Sequence, residues 1–464
     1  MRRRAGFARF DDHGNLQAPQ PMIDAEKRNP PRRALENLLA RSRTQNGMYL
    51  ATSLIARVLN AAGMFIALQR FAPSTFGEMS YLMATAVSTV AFCSLGIEIS
   101  VNARLTRKLK DGEALTPTIL AACILAAVGI ALACIAIGVA FAPQLTVTGS
   151  VRLAVAVLCI YSSFMILTSL LTAMSFALSR SLNVGISYII TSGLFAAFAI
   201  FADSRTSGIG LMFLSVVTQI ISVPYMAIAL GRLAKSWQLR SAYTLIQSSL
   251  QATGAEVKTL FLYGAKQILV VSSVTFSQWL IQRKIVYGDG GASENAIYSI
   301  GNQIFNMMTF IPLILTPIII TRLAAAGDDI ALRRRISLSS LKLFAAIAAA
   351  ACVAVFIGLR VGIPFLPPRY AAAEITGLIA SFAAAFQILK SPFSLFFLAE
   401  LKASREIASA TAGSLFMIAA TASSAQLSPN QGTTIRLLGC ALQGLLLAGM
   451  FLFETRRRSD QNAL

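Results

Sequence analysis

Two polar patterns in an otherwise apolar sequence could do chemistry. Ser53, Arg57 and Asn60 are spaced i, i+4, i+7, and Ser299, Asn302, Gln303 and Asn306 likewise share one face of a helix. Four cations, Arg57, Lys266, Lys342 and Lys390, lie within apolar runs. A charge in such a run is costly and either faces a wet cavity or snorkels to an interface. Lys342 is near a run's end and is expected to snorkel. Lys266 and Lys390 lie two to three turns in, and either fate is open to them. Arg57 is about as far from Asn46 as from Arg70, which predicts a mid-membrane position facing a protein-lined aqueous cavity. An arginine cannot lose its proton on burial, and its planar fork grips oxygens in pairs, which suits phosphate. With the amides, it suits an anion rich in hydroxyls. For the stripe from Ser299 to Asn306, hydrogen bonding that glues helices together is an equal reading.

Other chemistries are excluded by what is scarce. The one histidine, His13, lies in a polar tail, which removes Ser-His-Asp and Cys-His nucleophiles and most zinc sites. Six cysteines, all within apolar stretches and unpaired in spacing, imply no disulfide framework. No catalytic set, metal centre or cofactor is expected. The deep acids are Glu98 and Glu374. Of these only Glu98 could serve as a coupling carboxylate of the kind a drug/cation antiporter needs, or it could pair with Arg104 or Arg57. Pro312, Pro317 and Pro392 remove backbone hydrogen bonds within apolar runs, supplying either gate hinges or static kinks.

These residues must be held by membrane helices. Apolar residues form 56% of the 464-residue chain and charged ones 13%, too few to clothe several soluble domains. Twelve apolar runs have lengths suited to crossing about 30 Å of hydrocarbon as helix. They are 47–69, 78–101, 117–141, 152–177, 183–202, 207–230, 257–281, 295–321, 338–359, 371–398, 405–423 and 433–453. The formal charge of +20 is dispersed among the joints, not gathered in a groove, so nucleic acid is not an expected partner. Of the joint and tail cations, 28 fall on the side holding both termini and 8 on the other, Arg436 among the latter. Both termini are therefore expected in the cytoplasm.

The chain also echoes itself. Gln69-Arg70, Tyr81 and Thr106-Arg107 recur in order as Gln282-Arg283, Tyr298 and Thr321-Arg322. The expected organisation is a basic tail (1–46), a six-helix lobe (47–230), a connector (231–256), a second six-helix lobe (257–453) and a basic tail (454–464). Six spans are an even number, so the lobes should be related by a pseudo-two-fold axis along the membrane normal. If spans 1 and 7 face each other, Arg57 and Lys266 converge on one lumen.

The joint Arg70-Phe71-Ala72-Pro73-Ser74-Thr75-Phe76-Gly77-Glu78-Met79-Ser80, followed by Leu95-Gly96-Ile97, resembles the opening of the Wzx-type polysaccharide flippases of the MOP superfamily. Pro73 would stop one helix and Gly77 would let the next begin. The resemblance covers about residues 44–455 and implies an all-α, MATE-like membrane fold. It implies a flippase for polyprenyl-pyrophosphate-linked oligosaccharide in the bacterial inner membrane, whose lobes rock between inward- and outward-open states. On that reading Arg57 and Lys266 attract pyrophosphate or acidic sugars, and Asn60, Asn302, Gln303 and Asn306 bond hydroxyls. Expected partners are the lipid-linked cargo, membrane lipids and a polysaccharide polymerase/co-polymerase complex, with the chain itself working as a monomer. Relatives often carry an acid near the end of the seventh helix, where this chain has Gln278, Gln282, Arg283 and Lys284. The alternative is a multidrug/cation antiporter. A membrane glycosyltransferase, polymerase or ligase is disfavoured, because the outward joints at 282–294 and 360–370 hold only Asp289 and Glu294 as acids.

Overall fold

The computed structural model describes residues 30–111, 113, 115–145, 150–236, 242–326, 329–399 and 403–461; at positions including 30–46, 242–252, 266 and 317 it describes the backbone alone. The described residues form helices joined by short turns, without a strand. In the first half these are α1 (Pro30–Arg70), α2 (Pro73–Cys93), α3 (Ile97–Asp111), α4 (Thr116–Ala136), α5 (Val151–Ala177), α6 (Ser181–Phe201) and α7 (Gly208–Ser236). The second half holds α8 (Ala242–Val286), α9 (Gly291–Ala325), α10 (Ile330–Gly362), α11 (Ala373–Ala399), α12 (Ala403–Ser423) and α13 (Pro429–Gln461). Each expected span falls on helix. Among the described residues eight helices are long and apolar enough to cross a membrane, and α2 with α3 makes a ninth if the bent pair is one span. The protein is a multi-pass membrane protein.

Helix starts follow local chemistry. Pro73 opens α2 and Pro429 opens α13, where a missing N–H costs nothing and φ is already set. Ser150 caps α5 by accepting from the Leu153 N–H, and Asp329 caps α10 by accepting from the Leu332 N–H at 2.9 Å. Three boundaries differ from the sequence reading. α1 begins at Pro30, inside the expected tail; α8 begins at Ala242, inside the expected connector; and α13 runs to Gln461, inside the second tail. The backbone stays helical through Asn46-Gly47 in α1 and Gly254 in α8, so each helix continues beyond its apolar span. Residues 1–29 lie outside the described residues.

The second expected span is not one helix. It bends by 46° between α2 and α3, where Leu95 (φ 53°) and Gly96 (φ 65°) both adopt the left-handed conformation. For leucine that conformation costs about 1–2 kcal/mol. The break lets α8 approach: a Cβ on Gly96 would collide with the Gly264 backbone, and one on Gly264 with the Leu95 carbonyl. Proline does not have this effect here, since α9 runs unbroken through Pro312 and Pro317, and α11 through Pro392.

The first lobe packs α1 on α6, α5 on α7 and α3 on α5, while α11 is the hub of the second, touching α9, α10 and α13. Besides a cluster that takes Leu260 of α8 in among Ile97 and Val101 of α3, two apolar clusters join the lobes. One sets Phe71, Phe76 and Met79 against Ala296, Ile300 and Tyr370; the other sets Tyr81 and Leu82 against Trp279 and Val286. Tyr81 and Tyr298, members of the sequence echo, are both buried. At the bundle end bearing the 70–73, 201–208, 287–291 and 363–372 joints (the distal end), α2 lies against α9. There a Cβ on Gly77 would strike the Ala292 carbonyl, and Asn295 Nδ2 donates to the Gly77 carbonyl at 2.8 Å. Gly77 is thus required for a close helix approach, and α2 already starts at Pro73. Arg369 donates to the Phe71 carbonyl at 2.9 Å in the same region.

Candidate functional site, an inter-lobe cavity

A cavity of about 520 Å³ lies between the lobes. From the first lobe, α1 contributes Arg57, Asn60 and Met64, α2 contributes Ser80 and Met83, α6 contributes Thr191 and Ser192, and α7 contributes Ser215, Thr218 and Gln219. From the second, α8 contributes Thr275, Gln278, Trp279 and Gln282, and α9 contributes Ser299, Asn302, Gln303 and Asn306. Among the described residues no Asp or Glu lines it. Five sequence candidates, Arg57, Asn60, Asn302, Gln303 and Asn306, therefore meet on one cavity wall system drawn from both lobes.

The remaining candidates whose side chains are described do not join them. Ser53 is buried and off the cavity. Lys266 belongs to α8, but its side chain lies outside the described residues. Glu98 does not line the cavity, and among the described residues it forms an ion pair with neither Arg104 nor Arg57, the two partners open to it; Arg104 binds Glu256 instead. Lys390 Nζ donates to Gln443 Oε1 of α13 at 2.6 Å, away from the cavity. Glu374 pairs with Arg360 at 3.1 Å near the distal joint.

The electrostatics are set by two arginines that address α9. Arg57 crosses from α1 and lies 4.8 Å from the centroid of the Phe310 ring, a cation–π contact of about 0.5–1 kcal/mol at an exposed site. Arg436 comes from α13, is 3% exposed, and lies 3.6 Å from the centroid of Phe305. Its Nη1 donates to Asn302 Oδ1. The sequence reading counted Arg436 as a loop cation, and the structure corrects this. It begins the last span two turns after Pro429, and nothing in its neighbours marks it as buried.

Other lining residues did carry a signal. Thr275, Gln278 and Gln282 are spaced i, i+3, i+7, and Ser215, Thr218 and Gln219 are spaced i, i+3, i+4, the same helical-face pattern as the residues singled out on α1 and α9. On α7, Gln219 Oε1 accepts from Thr168 Oγ1 at 3.2 Å, leaving the amide N–H groups for the cavity. Trp279 Nε1 donates to Thr85 Oγ1 at 3.0 Å across the lobe boundary.

Beside the cavity, an apolar hollow of about 190 Å³ runs between α1, α9 and α10 and shares Met64 and Gln303 with it. Gly358 and Gly362 line its α10 side, and a Cβ on either would meet nothing within 4 Å. The lobe seam is asymmetric here. α2 packs along α8, whereas α1 and α9 meet only sparsely and leave this opening.

At the end away from the distal joints, a charged cluster ties α8 to the first lobe. Arg104 of α3 donates through Nε and Nη2 to the Glu256 carboxylate at 3.0 and 2.7 Å. Lys108 Nζ is 2.8 Å from the same carboxylate, and Thr118 of α4 donates to it at 3.3 Å. The hydrogen bond from Arg104 and the nearby Lys108 outweigh burial and hold the Glu256 carboxyl down at about 2.

No family model and no curated protein matches the sequence. Solved structures do match the fold. An inward-facing multidrug resistance MATE family transporter of the MOP superfamily has a TM-score of 0.67 at 12% identity, over 89% of this chain and 99% of that one. An outward-facing MATE family transporter of the same superfamily scores 0.56 at 13% identity, over 90% and 95%. A MOP superfamily transporter from Pyrococcus furiosus, whose binding pocket has reverse polarity suggesting a different function, scores 0.59 at 12% identity, over 91% and 95%. Together with the helical architecture, these likenesses show that this chain has the two-lobed fold of the MATE transporters of the MOP superfamily.

Proposed function

We propose that this chain is a bacterial inner-membrane flippase for polyprenyl-pyrophosphate-linked oligosaccharide, an O-antigen, capsule or exopolysaccharide unit, working by alternating access. The observation that carries the reading is the cavity wall: a guanidinium, amides and hydroxyls from both lobes, and no carboxylate among the described residues. Such a wall is complementary to phosphate and sugar hydroxyls and offers a cationic drug no carboxylate to pair with. The apolar hollow supports an amphiphilic cargo, since it adjoins the polar cavity and opens between α1 and α9. Twelve spans with both termini cytoplasmic, no enzymatic step, a monomeric transporter and a polymerase complex receiving the product complete the proposal.

Mechanistically, the distal seam of α2 on α9 would close the outward side while cargo enters from the cytoplasmic leaflet. The higher likeness to an inward-facing than to an outward-facing relative supports that assignment of state. A second reading, a multidrug antiporter, is favoured by the activity ascribed to that first neighbour. The deciding experiment deletes the gene and asks on which leaflet polyprenyl-linked oligosaccharides accumulate. Finished units facing the cytoplasm, with surface polysaccharide lost, are expected. Normal glycan with altered drug susceptibility refutes the proposal in favour of the antiporter, and unpolymerised units on the outer leaflet refute it in favour of an enzyme.

A further inference from the structure

Arg436 is buried without a countercharge. Its side chain is 3% exposed, its Nε has no hydrogen-bond partner, and among the described residues no carboxylate lies within ion-pair distance. A guanidinium keeps its proton under all these conditions. The Phe305 ring face, the Asn302 carbonyl and the neighbouring Tyr298 hydroxyl compensate the charge only in part, since none carries a negative charge. The contact also has a direction. A guanidinium has donors only, so Asn302 must turn Oδ1 toward it, and the Asn302 NH2 is left for the cavity that Asn302 lines. Arg57 approaches the same helix from the other lobe, on Phe310.

We infer that Arg436 is a second cationic determinant of the cavity. It is a positioning residue that fixes Asn302 as a donor and draws the diphosphate of a prenyl-diphosphate headgroup to the C-terminal wall. The inference rests on the anionic-cargo reading above. Arg436 does not itself line the cavity, so its charge acts on the cargo from behind the wall, through Asn302.

The test measures binding of farnesyl diphosphate, farnesyl monophosphate and farnesol to the full-length chain in nanodiscs, by calorimetry. The wild type should prefer the diphosphate. Arg436→Met, similar in length but apolar, should lose about tenfold or more of diphosphate affinity and most of the preference over monophosphate. It should melt no lower than the wild type, because replacing an uncompensated buried charge with an apolar group is neutral or stabilising. Asn302→Ala should lose a similar amount, and the double variant no more than the larger single loss. An Arg436→Met protein that binds like the wild type, or losses that add in the double variant, overturn the role given to Arg436. If Arg436→Met does not fold, Arg436→Lys decides, since it keeps the charge without the fork: an unchanged diphosphate preference refutes the inference. A wild type that binds none of the three probes overturns the anionic-cargo reading with it.

Discussion

Replacing Glu256 by Gln removes the one carboxylate of α8 that two first-lobe cations and Thr118 share. A carboxyl held at about 2 instead of 4.5 corresponds to about 3 kcal/mol in favour of its charged, paired form. The Lys108 side chain is only 8% exposed and would keep only the longer pair with Glu113 at 3.8 Å, which adds to the loss. Arg104, at 29%, would recover solvation and subtract from it, so the expected net loss is about 2–3 kcal/mol. Unfolding by sodium dodecyl sulfate in mixed micelles at pH 7 reads this directly. Adding Lys108→Met should restore part of it by removing a buried charge left with only the longer Glu113 pair. The sign with pH is fixed as well. A carboxyl lowered on folding stabilises fully above about 4.5 and loses that contribution as the pH falls through about 2. The gap between wild type and Glu256→Gln should therefore be flat from pH 5 to 8. A variant within about 0.5 kcal/mol of the wild type, the scatter of ordinary surface substitutions, or a gap that changes over that range, refutes the reasoning.

Arg57→Ala should abolish flipping while expression and melting stay near wild type, because the side chain is exposed to the cavity and supports no core packing; unchanged flipping in vesicles refutes its role. Gly358→Leu with Gly362→Leu should fill the apolar hollow without a clash, leaving binding of a headgroup analogue intact while flipping of a long-chain prenyl-linked sugar falls several-fold. Equal flipping rates would mean that no tail occupies the hollow. Gly77→Ala should destabilise by about 1–3 kcal/mol and loosen the distal seam, seen as faster labelling of a cysteine placed at Ala292. Melting and labelling like the wild type would show that α2 and α9 can part there at little cost.

The sequence carried much of this because polar residues in apolar helices have few places to go. Arg57, Asn60, Asn302, Gln303 and Asn306 were legible from helical-face spacing, since a face that lipid rejects must look inward. The same rule extended to α7 and α8 would have added Gln219, Gln278 and Gln282. Three features were not legible, each for a tertiary reason. Arg436 sits near a helix end, where charge asymmetry reads as topology, and only the approach of α9 shows it to be buried. The α2–α3 break falls at Leu95-Gly96, a step the sequence displays, but the approach of Gly264 that it admits comes from far along the chain. Glu256 lay in what composition marks as a connector, and its partners come from α3 and α4.

The length of α8 has a mechanical meaning. Its 45 residues span about 67 Å as helix, more than twice the hydrocarbon thickness of about 30 Å. Glu256 and Trp279 are held by the first lobe at two points on this rod, about 35 Å apart at 1.5 Å per residue. A rotation of only about 10° about the Trp279 level would swing Glu256 by roughly 6 Å over that arm, farther than an ion pair at 2.8 Å can stretch and survive. The carboxylate at one end of the lever thus registers the tilt of the whole rod as made or broken bonds, turning a small angle at the cavity into an all-or-none event at the surface.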